Sequence, residues 1–313
     1  MFAVNNQKNT RKDLKYMCTA INETNGRHLF GRTLDLEYSL DEQVVISPRR
    51  FVFEFLHEGK CYEHYAMVGA AHISGNVPLY YDAMNEKGLC AAALRLPALT
   101  VYHQKTSEGV NLASYEFIAW LLCNFESAKD AKLALRDAKI TPESFSGELA
   151  ATQLHWLVGD GKESFVIESL ENGLRIYDDP YGVLTNAPDF PTMRNTFEKH
   201  GEPMLGDLSS CSRFIRAVNA KKHTLPADGP IDSISRFFHL MSTVNQPAGL
   251  FRADERQLRT VYTSCMDTKR KIYYFTTYEC RKIRGVRMKN AHLDLDTLTV
   301  FPMKHKEWIH FLN

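Results

Sequence analysis

The sequence predicts an α+β protein, a four-layer αββα sandwich in which helices cover both outer faces of two antiparallel sheets. Short β-type runs separated by turn signals fill residues 18–96, and more follow at 154–188 and 260–302. Helical patterns are collected in two blocks, at 112–138 and 213–243. These blocks favour antiparallel sheets, because a parallel sheet would need strands and helices to alternate.

The first set of strands reads CTAINE, RHLFGRTLDL, EQVVIS, FVFEFL, HYAMVGAAHI and GLCAAALRL. Turn signals such as Asn25-Gly26 and Glu58-Gly59 lie between these runs. The spacing predicts a meandering sheet.

A second set of strands reads LHWLVGD, GKESFVIES, GLRIYDD and GVLTNAP. The pairs Asp160-Gly161 and Asn172-Gly173 between them are typical of short hairpins. These four runs predict a second antiparallel sheet, and the chain closes with the strand-like runs TVYTSCMD, KIYYFTTYE and LTVFP.

Helices are predicted where the apolar period lengthens. One apolar face is formed by Phe117, Ile118, Leu121, Leu122 and Phe125. The next helix, SAKDAKLALRDA, begins at an N-cap, Ser127. After Pro191, helices are predicted at about 213–223 and 231–243.

The composition indicates one globular domain over residues 18–313, since no repeat, linker or break in composition divides the chain. A net charge of +1 and 44% hydrophobic residues argue against a polyanion-binding surface, so no nucleic-acid partner is expected. The first 17 residues lack the apolar core of a signal peptide, and no later run is long enough to cross a membrane. We therefore expect a cytoplasmic protein with no membrane partner.

The seven cysteines are odd in number, scattered and without a C-x-x-C pair. This pattern argues against a disulfide framework and against a zinc ribbon. Most are predicted to be reduced thiols that pack as small hydrophobic residues. No metal site and no cofactor are predicted.

Cys18 directly follows Met17, which suggests the chemistry of an N-terminal cysteine. Loss of an initiator methionine would give Cys18 a free α-amine, a base with a reference pKa near 7.7–8.0. The charge of Arg32 would favour the thiolate, and Asp35 would hold the amine through a charge-assisted hydrogen bond. The alternative is an ordinary strand cysteine, with Arg32 and Asp35 as a surface pair on a hairpin.

The stretch MCTAINETNGRHLFGRTLDLEYS resembles the amino terminus of the choloylglycine hydrolase family, the bile salt hydrolases and penicillin V acylases among the N-terminal-nucleophile (Ntn) hydrolases. Other segments resemble the family in the same order over roughly residues 17–303: YYDAMNEKGLCAAALRLP, LHWLVGD, GVLTNAP, LSSCSRFIRA and YTSCMDTKRKIYYFTTYE. Agreement in this order is more specific than a single motif. The resemblance implies the αββα Ntn hydrolase fold.

The resemblance also implies an amidase in which Cys18 is the nucleophile, with Arg32 and Asp35 around its sulfur and amine. Asn186 is implied as an oxyanion donor and Arg213 as a further cation of the active site. The thiolate attacks an acyl carbon, the amine leaves, and water hydrolyses the thioester.

Three readings of the substrate are considered, and in each the partner is a small molecule. The preferred one is hydrolysis of glycine- or taurine-conjugated bile salts, because the overall pattern resembles the bile salt hydrolase branch more than the penicillin acylase branch. The second is hydrolysis of penicillin V or another N-acyl amide, such as an acyl-homoserine lactone. The third is a non-catalytic binding protein that has kept the fold.

Arg95 departs from the family, which has asparagine here in many bile salt hydrolases and tyrosine in penicillin V acylases. The resemblance implies that its backbone N–H is the other oxyanion donor, whatever the side chain does. Its guanidinium also suits the sulfonate or carboxylate of a conjugated bile salt, so Arg95 is a candidate substrate-binding residue. A solvated residue at the rim and a barrier in the pocket are the alternatives.

Residues 187–212 form a second departure, because this segment is shorter than in the family and lacks its glycine-rich run. In family tetramers the corresponding segment is an assembly arm. We therefore expect a monomer or a smaller homo-oligomer, such as a dimer, instead of the tetramer.

Residues 1–17 are expected to be an upstream extension that is absent from the active enzyme. A chain that begins at Met1 would leave Cys18 without its free amine. Translation from Met17 is the preferred explanation, and cleavage of a pro-segment is the alternative.

Overall fold

Two large antiparallel sheets pack face to face in the computed structural model, which describes residues 17–147, 151–200, 207–253 and 256–312. Within these residues, one sheet has seven strands and the other has eight. In chain order the strands are β1 (Thr19–Glu23), β2 (Leu29–Leu36), β3 (Gln43–Ser47), β4 (Phe53–Phe55), β5 (Gly59–Cys61), β6 (Met67–Ser74), β7 (Val77–Asn85), β8 (Cys90–Arg95), β9 (Asn111–Ala113), β10 (Lys139–Thr141), β11 (Leu154–Gly159), β12 (Ser164–Leu170), β13 (Gly173–Asp178), β14 (Val183–Leu184), β15 (Phe251–Ala253), β16 (Arg256–Asp267), β17 (Ile272–Thr277), β18 (Cys280–Arg287) and β19 (Thr299–Pro302).

Helices cover the outer faces of both sheets. In the described part of the chain they are α1 (Phe117–Asn124), α2 (Ala128–Ala134), α3 (Phe190–His200), α4 (Ser210–His223) and α5 (Pro230–Ser242), with a 3₁₀ turn at Met288–Asn290. The first two pack on the eight-stranded sheet, and α4 and α5 pack on the seven-stranded one. The predicted four-layer αββα sandwich is confirmed. No helix among the described residues has both the length and the apolar character needed to cross a membrane.

The seven-stranded sheet has the order β14-β1-β2-β16-β17-β18, and β15 pairs with β16. Strand β1 therefore lies between β14, at the edge, and β2. Ala20 of β1 pairs with Leu184 on one side and with Arg32 on the other. This register determines which side chains surround the residue just before β1, Cys18.

The eight-stranded sheet has the order β13-β12-β11-β8-β7-β6-β3-β19. Its side chains alternate between two cores, as the two-residue period of a strand requires. Ala92 and Leu94 enter the core between the sheets, whereas Ala91 and Trp156 face the core under α1 and α2. Both faces are buried, so these strands read as apolar runs.

The predicted turns and the predicted helix cap are found where the sequence signals place them. Gly26 and Gly173 have φ values of +80° and +93°, in the left-handed region that glycine enters without strain. The Ser127 side chain accepts a hydrogen bond from the backbone N–H of Asp130 and caps α2.

Helix α3 was not predicted, because the helices expected after Pro191 were placed at about 213–223 and 231–243. The proline instead occupies the first turn of the helix, where its missing N–H costs nothing. Asp189 caps this turn by accepting a hydrogen bond from the backbone N–H of Thr192 at 2.9 Å. The sequence analysis also missed β18, whose charged CRKIRGVR stretch lies at the edge of its sheet.

Candidate active site

Cys18 lies at the start of β1, where strand register brings distant segments together. Only 3% of its surface is exposed. Because Ala20 pairs with Leu184, extending the antiparallel register by two residues places Asn186 beside Cys18. On the other side, Ala20 pairs with Arg32 of β2. Cys18 is therefore flanked by residues from β2 and from the segment that follows β14.

A cavity of about 200 Å³ has Cys18 in its wall. Much of its lining is apolar, including Leu34, Leu36, Leu79, Ile118, Phe145 and Trp156. Arg32, His72 and Arg95 are the titratable side chains other than cysteine and tyrosine that line it. An acyl group bound here would be held chiefly by burial of apolar surface.

Arg32 is buried in the wall of this cavity, with 1% of its surface exposed. Its Nε donates to the Thr33 carbonyl at 3.1 Å, and its Nη1 donates to the carbonyls of Tyr81, at 3.2 Å, and Ala93. Nη2 has no hydrogen-bond partner among the described residues. Burial alone would lower the pKa of Arg32, but Cys18 and other acidic neighbours outweigh it and raise the pKa above its usual value.

Asp82 is a buried carboxyl group near Arg32 that was not predicted from the sequence. Its carboxylate accepts hydrogen bonds from the hydroxyls of Tyr262 and Ser264, both at 2.6 Å, and of Tyr273 at 3.1 Å. The Ser264 hydroxyl also accepts from the Arg32 backbone N–H at 3.0 Å. Burial raises the pKa of Asp82, although Arg32 acts in the opposite direction. The sequence feature that could have identified Asp82 is an aspartate at a core-facing position of a strand.

Arg213, on the first turn of α4, binds the start of β1. Its Nη1 lies 2.7 Å from the carbonyl oxygens of Met17 and Cys18, and 2.9 Å from Thr19 Oγ1. Its Nη2 donates to Asn186 Oδ1 at 3.0 Å. Burial lowers the pKa of Arg213 to about 10, while Asp35 and Cys18 act to raise it. The side chain is therefore still a cation at neutral pH.

Asn186 is held at both ends of its side-chain amide. Its Oδ1 accepts from Arg213, and its Nδ2 donates to the carbonyl of Arg95 at 2.7 Å. Its backbone N–H donates to Ser210 Oγ at 2.8 Å. These contacts fix which way the amide points and leave the second N–H of Nδ2 for another acceptor.

Asp35 lies on the opposite face of β2 from Arg32, three residues along the strand. It accepts hydrogen bonds from Thr33 Oγ1 at 3.0 Å and from the Thr260 hydroxyl. Among the described residues there is no hydrogen bond between Asp35 and the backbone nitrogen of Cys18, which is in peptide linkage to Met17. Burial raises the pKa of Asp35 to about 6, although Thr260 and Arg213 act to lower it.

Arg95, the last residue of β8, is partly exposed and lines the same cavity as Cys18. It pairs with Leu154 of β11, which also lines the cavity. Its carbonyl is the acceptor for Asn186 Nδ2. Arg95 is thus joined to the Asn186 side of the site by its backbone and to the cavity by its position.

Met17 is buried next to Leu258 and Leu208, with 1% of its surface exposed. Its carbonyl oxygen, in the peptide bond that precedes Cys18, accepts a hydrogen bond from Arg213. The residues before Met17 lie outside the described part of the chain. In the described residues, no three His, Cys, Asp or Glu side chains are grouped as metal ligands would be.

The structure therefore brings Cys18, Arg32, Asn186, Arg213 and Arg95 together around one cavity and its wall. Asp35 lies on the opposite face of β2 from Arg32, and its hydrogen bonds among the described residues are with Thr33 and Thr260 and not with Cys18. The contact between Arg213 and Asn186 was not foreseen, because nothing in the sequence indicates how α4 packs against the end of β14.

Comparison with known proteins identifies relatives over nearly the whole chain. The family model "Linear amide C-N hydrolases, choloylglycine hydrolase family" matches residues 18–202 and 198–301. Bile salt hydrolase/transferase of Lactiplantibacillus plantarum is 36% identical over 324 residues, which cover 95% of this chain and all of that protein.

Solved structures agree with the sequence comparison. Conjugated bile acid hydrolase from Clostridium perfringens has a TM-score of 0.87 and 29% identity, over 95% of this chain and all of that one. Penicillin V acylase from Agrobacterium tumefaciens, at 21% identity and a TM-score of 0.75 over 91% of this chain and 90% of that one, shows the same fold. This chain therefore belongs to the choloylglycine hydrolase family and is a hydrolase of linear amide C–N bonds.

Proposed function

We propose that this hydrolase cleaves the amide bond of glycine- or taurine-conjugated bile salts, releasing the free bile acid and the amino acid. The observation that carries the proposal is the position of Cys18 in the wall of a largely apolar cavity. The steroid part of a bile acid is apolar and would be bound by burial, with few polar contacts. The 36% identity to a protein named bile salt hydrolase/transferase supports this substrate class.

In the proposed reaction, the α-amine of Cys18 takes the thiol proton and the thiolate attacks the acyl carbon. The oxyanion accepts a hydrogen bond from the Asn186 Nδ2–H that does not bind Arg95, and a second from the Arg95 backbone N–H. The amine of Cys18 returns its proton to the leaving nitrogen as the C–N bond breaks. Water then hydrolyses the thioester, which releases the acid and restores the thiol.

This reaction requires a free amine on Cys18, so we propose that residues 1–17 are absent from the active enzyme. The start of the family match at residue 18 supports this boundary. Translation from Met17 followed by removal of that methionine is one route, and cleavage of a pro-segment is the other. The mass of the intact active protein tests the proposal, and a fully active chain that still carries Met17 would contradict it.

The Cys18→Ala variant tests the nucleophile. We expect kcat/KM on taurocholate to fall by about 10⁴-fold or more, with the fold retained, because no other group supplies the attacking sulfur. Iodoacetamide at limiting concentration should label Cys18 first and inactivate the enzyme. Cys265→Ala is a control, since this thiol is buried away from the cavity and burial raises its pKa well above the usual value. Full activity of Cys18→Ala would refute every version of this mechanism.

A second substrate class is favoured by the size of the cavity. About 200 Å³ is below the 300–1,000 Å³ typical of pockets for drug-sized ligands. A smaller acyl group, such as the phenoxyacetyl of penicillin V or the acyl chain of a homoserine lactone, would fit within it, whereas a steroid would extend beyond its mouth. Hydrolysis of taurocholate, penicillin V and an acyl-homoserine lactone, measured side by side, distinguishes the two proposals by the highest kcat/KM.

For Arg95, we propose that the guanidinium binds the sulfonate or carboxylate of the leaving amino acid. Its place in the cavity lining supports this role. Arg95→Asn should raise KM for taurocholate about tenfold, which corresponds to about 1.4 kcal/mol for one charge-assisted contact, and leave KM within twofold for an acyl-homoserine lactone, whose leaving group carries no anion. An unchanged kcat/KM on both substrates would show that Arg95 is a rim residue, and a gain on both would show that it is a barrier.

Assembly and location also stay predictions. The short 187–212 segment suggests a monomer or dimer, and residues 201–206 within it lie outside the described residues. Light scattering that gives a stable tetramer would contradict this. All seven cysteines are free thiols, which supports the reducing environment of the cytoplasm. Cell fractionation tests that location.

A further inference from the structure

His155 and Glu168 form a fully buried pair that the proposed chemistry does not use. They face each other on β11 and β12, and neither has exposed surface. His155 Nδ1 lies 3.1 Å from Glu168 Oε1. Burying two ionisable side chains is costly unless their polar atoms find partners, so the contacts on the far side of the pair indicate what it does.

Those outer contacts hold both ends of the short segment 185–190. His155 Nε2 donates to the carbonyl of Thr185 at 2.8 Å, so Nε2 carries a hydrogen, because a carbonyl only accepts. Glu168 Oε1 accepts from the backbone N–H of Phe190 at 3.0 Å. Asn186 lies between these two anchors, so one buried pair fixes the chain on either side of it.

The anchored backbone groups have few other partners available. Thr185 follows β14, the edge strand of the seven-stranded sheet, where one row of carbonyls has no neighbouring strand. Phe190 begins α3, and the first N–H groups of a helix have no partner within the helix. The histidine and the glutamate, which belong to the other sheet, supply these missing partners across the core.

The opposite side of the segment is held by α4. Ser210 Oγ accepts from the Asn186 backbone N–H at 2.8 Å and donates to Thr185 Oγ1 at 2.9 Å. Arg213, one turn further on, binds the Asn186 side chain. The Asn186 amide is therefore set between helix α4 on one side and the buried pair on the other.

We propose that His155 and Glu168 are positioning residues that aim Asn186 at the reacting carbonyl group. Neither belongs to the lining of the cavity, so they act through the 185–190 backbone and do not touch substrate. The inference rests on the proposed role of Asn186 as an oxyanion donor. Removing the anchor at Thr185 should let Asn186 shift, and a displacement of about 1 Å in a catalytic group can cost about 10²-fold in rate.

Two variants with the same charge separate positioning from simple stability. Glu168→Gln removes the buried carboxylate while its side-chain oxygen still accepts from Phe190. In that background, glutamine at position 155 reaches the place of Nε2 and can still donate to Thr185, whereas asparagine is too short to do so. We therefore compare His155→Gln with His155→Asn, both in Glu168→Gln, by kcat, KM and thermal midpoint on the best hydrolysed amide.

We expect the asparagine variant to have a kcat about 10- to 100-fold below that of the glutamine variant, with KM values within twofold. Adding Asn186→Ala to both should reduce this ratio to about one, because the anchor then has nothing to position. An equal kcat for the two variants would overturn the proposal, and so would a ratio that persists without Asn186. If the Glu168→Gln background does not fold, the single variants His155→Gln and His155→Asn give the same comparison.

The Asn186→Ala variant alone distinguishes the oxyanion role of Asn186 from the positioning role of His155 and Glu168. If Asn186→Ala alone leaves kcat unchanged, the oxyanion role fails, and the positioning role fails with it. If Asn186→Ala lowers kcat and the position-155 pair shows no difference, only the positioning role fails. His64→Asn is the control: His64 is also buried, with both ring nitrogens 2.8 Å from backbone carbonyls, but these are the carbonyls of Tyr65 and Phe51, outside the 185–190 segment. It should lower the thermal midpoint and leave kcat within twofold.

Discussion

Two buried arginines flank Cys18, and they use their hydrogen-bond donors differently. Arg213 has partners for all three of its side-chain nitrogens: Nη1 and Nη2 bind the start of β1 and Asn186, and Nε binds the Leu208 carbonyl. Arg32 binds three carbonyls through Nε and Nη1, but its Nη2 has no partner among the described residues. Both are 1% exposed, so burial does not explain the difference.

The two arginines also respond oppositely to their surroundings. Burial lowers the pKa of Arg213 to about 10, whereas Cys18, Tyr262 and Asp82 outweigh burial and raise the pKa of Arg32. We infer that Arg213 is a scaffold residue, which fixes the positions of Cys18 and Asn186 by hydrogen bonds. Arg32 instead lines the cavity with a positive charge and with an Nη2 group that has no partner among the described residues. On this inference, one cation of the site acts through its geometry and the other through its charge.

The largest effect is expected for Arg213→Lys. A lysine ammonium has the charge but cannot reach both Asn186 and the oxygens of residues 17–19, since it lacks the planar fork. With Asn186 released, we expect kcat to fall about 10³-fold, the upper cost of losing an oxyanion-hole donor. Steady-state kinetics and thermal melting measure both consequences.

Arg216→Lys is the matched control for this variant. Arg216 lies on the same helix and also donates to backbone carbonyls, those of Thr243 and Asp207, but at the surface. Its replacement should change kcat by less than twofold. If Arg213→Lys retained full kcat, the scaffold role would be wrong and Arg213 would act by charge alone.

Asp35 interacts electrostatically with both arginines, and their charges act to lower its pKa. Asp35→Asn is expected to have the next largest effect, and this effect is on stability. The pKa of Asp35 is raised from 3.8 to about 6 in the folded chain, so the folded state binds the proton more tightly than the unfolded state does. Ionisation therefore costs stability as the pH rises above 3.8, and the cost reaches about 3 kcal/mol above pH 6, at 1.36 kcal/mol per pKa unit. The neutral asparagine avoids this cost, and kcat should fall because the carboxylate that would hold the Cys18 amine is lost.

The pH dependence tests the sign of this prediction. The gain in unfolding free energy should be full at pH 7, decrease as pH falls from about 6 toward 3.8, and be nearly absent by about pH 3, where the parent carboxyl is protonated in both states. Denaturant unfolding at these pH values measures it. A gain that is independent of pH would show that packing, not the buried charge, is responsible.

The sequence predicted the layers, the hairpins and most of the residues around Cys18, because these follow from local period and turn chemistry. The alternative of Arg32 and Asp35 as a surface pair is wrong: both are buried, and residues three apart on a strand face opposite sides. The partners of Asp82, at 262, 264 and 273, are contributed by strands about 180 to 190 residues away. Local sequence patterns cannot predict contacts between residues so far apart in the chain. The packing of Arg213 on Asn186 could not be predicted for the same reason.

The smallest effect is expected for Arg32→Lys, which keeps the positive charge beside Cys18 but loses the contacts with the Tyr81 and Ala93 carbonyls. If Arg32 acts mainly by charge, kcat/KM should fall only about tenfold, or 1.4 kcal/mol. Arg32→Met, similar in size and neutral, should lower it by a further tenfold and slow alkylation of Cys18 by iodoacetamide at pH 7 to a similar extent. Arg27→Lys, which retains a cation beside Asp267 near the far end of β2, serves as the control and should alter neither rate. Equal losses for lysine and methionine at position 32 would mean that Arg32, like Arg213, is needed for its geometry, and the contrast between the two arginines would disappear.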